Sequence, residues 1–109
     1  MRLAGGQVYD SETRRFSKRD LFVETGHLTD RSEGETIELD GAWLLPGFFD
    51  CHVHVAMNTE KASSINVWAG AMPGDIVLYA ARAARRTLMC GITTARDVGG
   101  WDYHEIAVR

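Results

Sequence analysis

The chain has 109 residues, 45% hydrophobic and 25% charged, the make-up of a soluble globular protein of at most one domain rather than a disordered segment. Twelve Lys and Arg against fifteen Asp and Glu give a net charge of −3, which leaves no basic excess to follow a phosphate backbone and argues against nucleic acid as a partner. Two cysteines, Cys51 and Cys90, are too few for a stapled secreted scaffold and lack CxxC spacing, so free thiols in a reducing cytoplasm are expected. The longest apolar run, Ala42 to Phe49, is broken by Pro46-Gly47 and falls far short of the ~20 residues that span a bilayer, while Met1 to Gly6 lacks the apolar core of a signal peptide; no membrane partner is expected.

From Met1 to about Leu45 the sequence alternates short strand-like pieces with turn residues. Leu3 to Tyr9 reads as a weak strand interrupted by Gly5-Gly6, and Asp10 to Asp20 as a polar connection whose Arg14, Arg15, Lys18 and Arg19 form a solvated loop. Leu21 to Glu24 is a second strand, Thr25-Gly26 a turn and His27 to Thr29 a brief return. Thr36 to Leu39 alternates as a third strand, and Asp40-Gly41 is a hairpin signal between it and Ala42 to Leu45.

Composition changes at Pro46-Gly47, which marks a boundary between a β-rich segment, 1–46, and the segment 47–109. Phe48 to Val55 is apolar except for Asp50, His52 and His54, as suits a strand buried in a parallel sheet. Asn58 to Gly74 reads as a long loop with a helical turn around Ile65 to Ala69. From Asp75, a candidate cap, Ile76, Tyr79, Ala80, Ala83, Ala84, Thr87 and Leu88 recur at helical spacing, with Arg82, Arg85 and Arg86 opposite. Gly91 stops that helix, and β-branched Ile92 to Val98 follows as a second strand. Strand, helix and strand form a right-handed parallel βαβ unit.

Asp50, His52 and His54 stand two apart, which on a strand sends all three side chains to one face, the imidazoles about 7 Å apart at Cα. That spacing lets their ring nitrogens converge on one cation at the ~2.0 to 2.1 Å of a Zn–N bond. A bare His-x-His is more often two incidental histidines. Here two adjacent imidazoles and a carboxylate on one face of a buried strand are hard to satisfy without a shared partner. Phe49, Cys51, Val53 and Val55 take the opposite face, expected to pack against helices, with Cys51 a small packing residue rather than a nucleophile.

Pro46-Gly47-Phe48-Phe49-Asp50-Cys51-His52-Val53-His54 resembles the PGxxDxHxH signature of the amidohydrolase superfamily. Gly41 to Pro46 is similar to the segment that leads into that signature. Gly91 to Gly100 resembles the GxTTxRDxGG segment of the imidazolonepropionase-like and Xaa-Pro or Xaa-Arg dipeptidase branch. The resemblance implies an α/β fold: the N-terminal portion of a (β/α)8 TIM barrel, with 1–46 the β-rich part of a small composite sandwich and 47–109 the first barrel strand, helix and second strand. By that likeness His52 and His54 bind the more buried of one or two divalent ions, zinc foremost, and Asp50 supports the site from behind or by buried hydrogen bonding. The implied activity is hydrolysis of an amide bond in a small molecule or dipeptide, prolidase-like, with imidazolonepropionase-like ring opening of a cyclic amide as the alternative. A non-catalytic binding module is the reading from another class. A dihydroorotase or hydantoinase reading is weaker, because Ala56 stands where those relatives usually carry Arg.

In that family the remaining ligands, a lysine, two more histidines and a catalytic aspartate, come from later barrel strands, and no position before Arg109 matches them. The 109 residues are therefore expected to be the N-terminal quarter of an enzyme, inactive alone. They would be completed by a missing C-terminal segment or another chain, and a homo-oligomer is expected. Asp97, Trp68 and Met72 are candidate pocket residues, since loops and strand ends at the C-terminal face form a barrel's mouth, although Asp97 suits an ion-paired role as well and the other two suit packing. His27 and His104 carry no expected role.

Overall fold

The computed structural model describes residues 1–57, 68 and 70–109, and the chain divides into two compact units, Met1–Pro46 and Gly47–Arg109. Apart from Trp68, the helical turn expected around Ile65 to Ala69 lies outside the described residues.

The first unit is a five-stranded sheet of β1 (Arg2–Asp10), β2 (Arg15–Glu24), β3 (His27–Thr29), β4 (Thr36–Glu38) and β5 (Trp43–Leu44). β1 is its centre, pairing antiparallel with β2 on one side and parallel with both β4 and β5 on the other. Alternation along β1 buries Ala4, Gly6 and Val8 on one face. The Gly5-Gly6 pair does not interrupt the strand but shapes it. Gly5 takes φ +72° at a register shift, and a Cβ on Gly6 would lie 2.5 Å from Leu44 Cδ1 and 2.8 Å from Leu39 Cδ1.

Two expectations for this unit are corrected. The polar connection after Asp10 is only a four-residue turn, closed by Asp10 Oδ1 accepting the N–H groups of Glu12 and Thr13. Arg15, Lys18 and Arg19 belong to β2, because a strand paired through its backbone can present charges to solvent. Asp40-Gly41 joins no hairpin either. β4 and β5 never pair with each other; they follow one another along the same edge of β1, the turn between them matching the Gly5 irregularity through Leu39 N–H to Ala4 O and Gly41 N–H to Gly5 O.

The second unit is a parallel pair, β6 (Phe48–Val53) and β7 (Ile92–Asp97), joined by α1 (Pro73–Met89) and followed by a 3₁₀ helix, His104–Val108. The expected stripe of α1 is covered from Ile76 to Thr87, while Leu88 is exposed. Ile76, Ala80 and Ala56 form the buried centre, surrounded by Val55, Trp68, Ala71 and Val108. The helix begins earlier than Asp75: Pro73 occupies the first turn, where its missing N–H costs nothing, and Met72 is the cap residue. Asp75 instead places its charge in the first turn, favourable to the helix dipole. Phe49 and Cys51 do not pack against a helix. α1 lies on β7 and the 3₁₀ helix rather than on β6, so Phe49 is 73% exposed and Cys51 is exposed with it. No helix among the described residues is long and apolar enough to cross a membrane.

Candidate metal centre

β6 ends at Val53, two residues sooner than the apolar run suggests, so His52 is on the strand and His54 just beyond it. The change has a local cause. Between Asp50 and Val53 the register slips, with three residues of β6 advancing against the two from Ala95 to Asp97 on β7. Such irregularities re-aim side chains next to sites. Asp50 is half-buried, and its Oδ1 accepts the backbone N–H of His52 at 3.0 Å, bracing the irregular stretch.

The His52 and His54 rings meet edge to face with centroids 5.4 Å apart. Two imidazoles on one tetrahedral ion, each held by a bond of ~2.0 to 2.1 Å, would have ring centres roughly 5 Å apart, close to the separation of this pair. His54 Nδ1 lies 2.5 Å from the carbonyl oxygen of Gly99. A carbonyl only accepts, so Nδ1 carries a proton, and in the neutral ring Nε2 keeps its lone pair for a ligand. This backbone contact is the usual partner of a metal-binding histidine. The fit stops at two donors: among the described residues no group of three or more His, Cys, Asp and Glu is gathered to hold an ion.

His54 also lines a hollow of about 220 Å³ with Met57, Trp68, Gly99, Gly100 and Trp101, all from the segments that follow β6 and β7. Trp68 is fixed there by its indole N–H, donated to Ala56 O at 2.5 Å, and by an edge contact with Tyr79. Met72 is not part of this wall. It caps α1 and is 72% exposed, because the helix starts at the residue after it. Asp97 does not line the hollow and forms no ion pair with Arg96; its two carboxylate oxygens accept backbone N–H groups, Oδ2 from Val55 at 3.0 Å and Oδ1 from Gly99 at 2.9 Å. Behind the Gly99-Gly100 turn, Glu105 Oε2 is buried and, among the described residues, has no hydrogen-bond partner. His27 is exposed on β3, and His104, which starts the 3₁₀ helix, does not line the hollow beside His54.

Trp101 and the Gly99 carbonyl carry no chemistry that sequence reasoning would single out. Their only trace is the Asp97-Val98-Gly99 pattern, in which an aspartate accepts from the N–H two residues on.

The sequence model of the amidohydrolase family matches residues 43–108. Adenine deaminase 2 of Carboxydothermus hydrogenoformans is 39% identical over 56 residues, 49% of this chain and 10% of that protein. Imidazolonepropionase of Acinetobacter baumannii is 46% identical over 28 residues, 26% of this chain and 7% of that protein. Among solved structures, a prolidase in complex with N-methylphosphonate-L-proline superposes with a TM-score of 0.70 at 28% identity, and an amidohydrolase with 0.72 at 25%. They cover 90% and 92% of this chain, which spans 25% of each of them and a tenth or less of those two curated relatives. The family match takes in more than half of the 109 residues, including His52, His54 and all of β7, and the chain belongs to the amidohydrolase family.

Proposed function

We propose that this chain supplies the first two metal ligands, His52 and His54, of a hydrolase that cleaves an amide C–N bond in a small molecule, a dipeptide ending in proline foremost. The observation that carries the reading is the imidazole pair 5.4 Å apart, with His54 Nδ1 engaged by Gly99 O and Nε2 without a hydrogen-bond partner among the described residues. A divalent ion, zinc foremost and one or two in number, would supply water acidified to a pKa around 7 and polarise the amide carbonyl. The chain's own residues do the rest of what is assigned to them. Asp50 fixes the His52 backbone, and Trp68, Met57 and Trp101 wall the hollow beside His54 and keep bulk water from one side of it.

In this reading β6, α1 and β7 begin a (β/α)8 barrel, with the histidines at the C-terminal ends where barrel enzymes react. The sheet of Met1–Pro46 forms part of a small composite sandwich, and later strands or another chain bring the missing ligands. Two exposed free cysteines suit a reducing compartment, the cytoplasm. The dipeptidase reading is supported by the prolidase neighbour aligned over 90% of the chain. Ring opening of a cyclic amide is the second reading, favoured by the match to imidazolonepropionase around 28 residues.

Hydrolysis of Xaa-Pro dipeptides and of imidazolonepropionate, assayed with Zn²⁺ or Co²⁺ and again with a chelator, tests this. A completed barrel should turn over one of them in a chelator-sensitive way. The 109 residues alone should not, since two imidazoles fall short of the usual three ligands. Chelator-resistant turnover by either form would contradict the proposal.

A further inference from the structure

We infer that Asp97 is a positioning residue: through the Gly99 turn its carboxylate holds His54 in the one tautomer and orientation that leaves Nε2 open, an inference that rests on the metal-hydrolase reading above. Three hydrogen bonds and the His54–Val55 peptide bond close a ring that runs through the imidazole. Asp97 Oδ2 accepts from Val55 N–H, the residue that follows His54, at 3.0 Å. Oδ1 accepts from Gly99 N–H at 2.9 Å, and the carbonyl of that same Gly99 takes His54 Nδ1 at 2.5 Å. One carboxylate thus sets both the backbone that carries the ring and the acceptor that orients it. The neighbouring Val98 N–H donates to Val53 O at 3.0 Å, so the two strand ends are tied on both sides of Asp97.

The chemistry needs a carboxylate here. Both partners of Asp97 are N–H donors, each on a different oxygen, so with the side chain in place only a carboxylate offers an acceptor at both positions. Gly99 has φ +139°, open to few other residues, so the turn has little conformational support of its own and depends on that bond. Free neutral imidazole prefers no fixed tautomer strongly. The Gly99 carbonyl imposes one, and the position of that carbonyl is what Asp97 sets.

Asp97→Asn is the informative variant. It keeps size and one accepting oxygen, but its amide NH₂ cannot accept at the other position, so with the side chain in place one of the two N–H bonds is lost. The chain, ¹⁵N-labelled at histidine, is examined by long-range ¹H–¹⁵N NMR at about pH 8, above the ordinary imidazole range, and Zn²⁺ affinity is measured alongside by calorimetry. The wild type should show His54 as the Nδ1–H tautomer. In Asp97→Asn, with helix ellipticity unchanged, it should become a tautomer mixture and Zn²⁺ affinity should fall ~10 to 100-fold. A wild-type His54 in the Nε2–H form overturns the inference even if the variant does not fold, and so does an Asp97→Asn protein whose tautomer is unmoved. If the tautomer shifts as expected but Zn²⁺ affinity does not change with it, the metal reading of His54 fails while the role of Asp97 in orienting the ring stands.

Discussion

Gly47→Ala should lower the stability of the Gly47–Arg109 unit by about 2 kcal/mol. A Cβ built on Gly47 would lie 2.0 Å from Thr93 Oγ1, 2.4 Å from its Cγ2 and 2.7 Å from its Cβ. Rotating Thr93 about χ1 moves the first two atoms but not the third, so the side chain cannot clear the way by itself. To restore contacts of ~3.5 to 4.0 Å, β6 and β7 must part by roughly 1 Å. That displacement lies beside the Phe48 N–H to Gly91 O bond, 2.8 Å long, and would weaken it. Overpacking costs ~1 to 3 kcal/mol and the weakened bond about 1, against ~0.4 to 1 gained by restricting the unfolded chain. Urea unfolding followed by ellipticity at the α1 band measures the loss. Thr93→Gly removes all three clashing atoms, so the double variant should be more stable than the sum of the single changes predicts, by about 1 kcal/mol or more. A neutral Gly47→Ala, or strict additivity in the double variant, would refute the reasoning and leave the glycine before β6 as a turn residue only.

Ile76, 2% exposed among Ala56, Ala80 and Val55, should cost ~2 to 5 kcal/mol when replaced by alanine, since its small neighbours cannot fill the space; loss of ellipticity with gain of dye binding would report it. The Gly5 N–H and the Arg2 guanidinium hold the Asp20 carboxyl below its ordinary value of 3.8, so its stabilisation of the β1–β2 pair is intact above that pH and fades as pH falls through the lower folded value. Amide NMR of β1 should show that acid loosening in the wild type and a flatter acid response in Asp20→Asn; identical profiles would contradict it. Glu105→Met, which replaces a buried unpaired oxygen with an apolar group, should leave stability unchanged or raise it by up to ~2 kcal/mol in the same urea assay, and a clear loss would show that Oε2 has a partner.

The elements that periodicity or β-branching marks strongly are legible in the sequence: the stripe from Ile76 to Thr87, the Ile92 to Asp97 strand, and the parallel pairing that a helical crossover demands. What escapes it is partner choice. Asp40-Gly41 signals a turn correctly, φ +48° and +80°, but a turn says nothing about which strand lies on the far side, and here both flanks pair with β1. The charges of Arg15 to Arg19 hide a strand for the same reason, since pairing runs through the backbone. At the site, the two-residue spacing of His52 and His54 foretells neighbouring rings, and they are neighbours. It cannot foretell the register slip after Asp50 or that Asp97 turns its carboxylate onto backbone N–H groups, because strand parity describes only regular strands.

Divalent-metal stoichiometry in three proteins tests the central claim most directly: the chain as it stands, His52→Ala and His54→Ala, each dialysed against Co²⁺ or Zn²⁺ and counted by mass spectrometry, with ellipticity confirming that α1 is formed. The unsubstituted chain should retain one ion, and each variant, left with a single imidazole, should lose most of it. Folded variants that keep the full complement of metal would show that the pair is not the ligand set, and the proposed hydrolase site would fall with it.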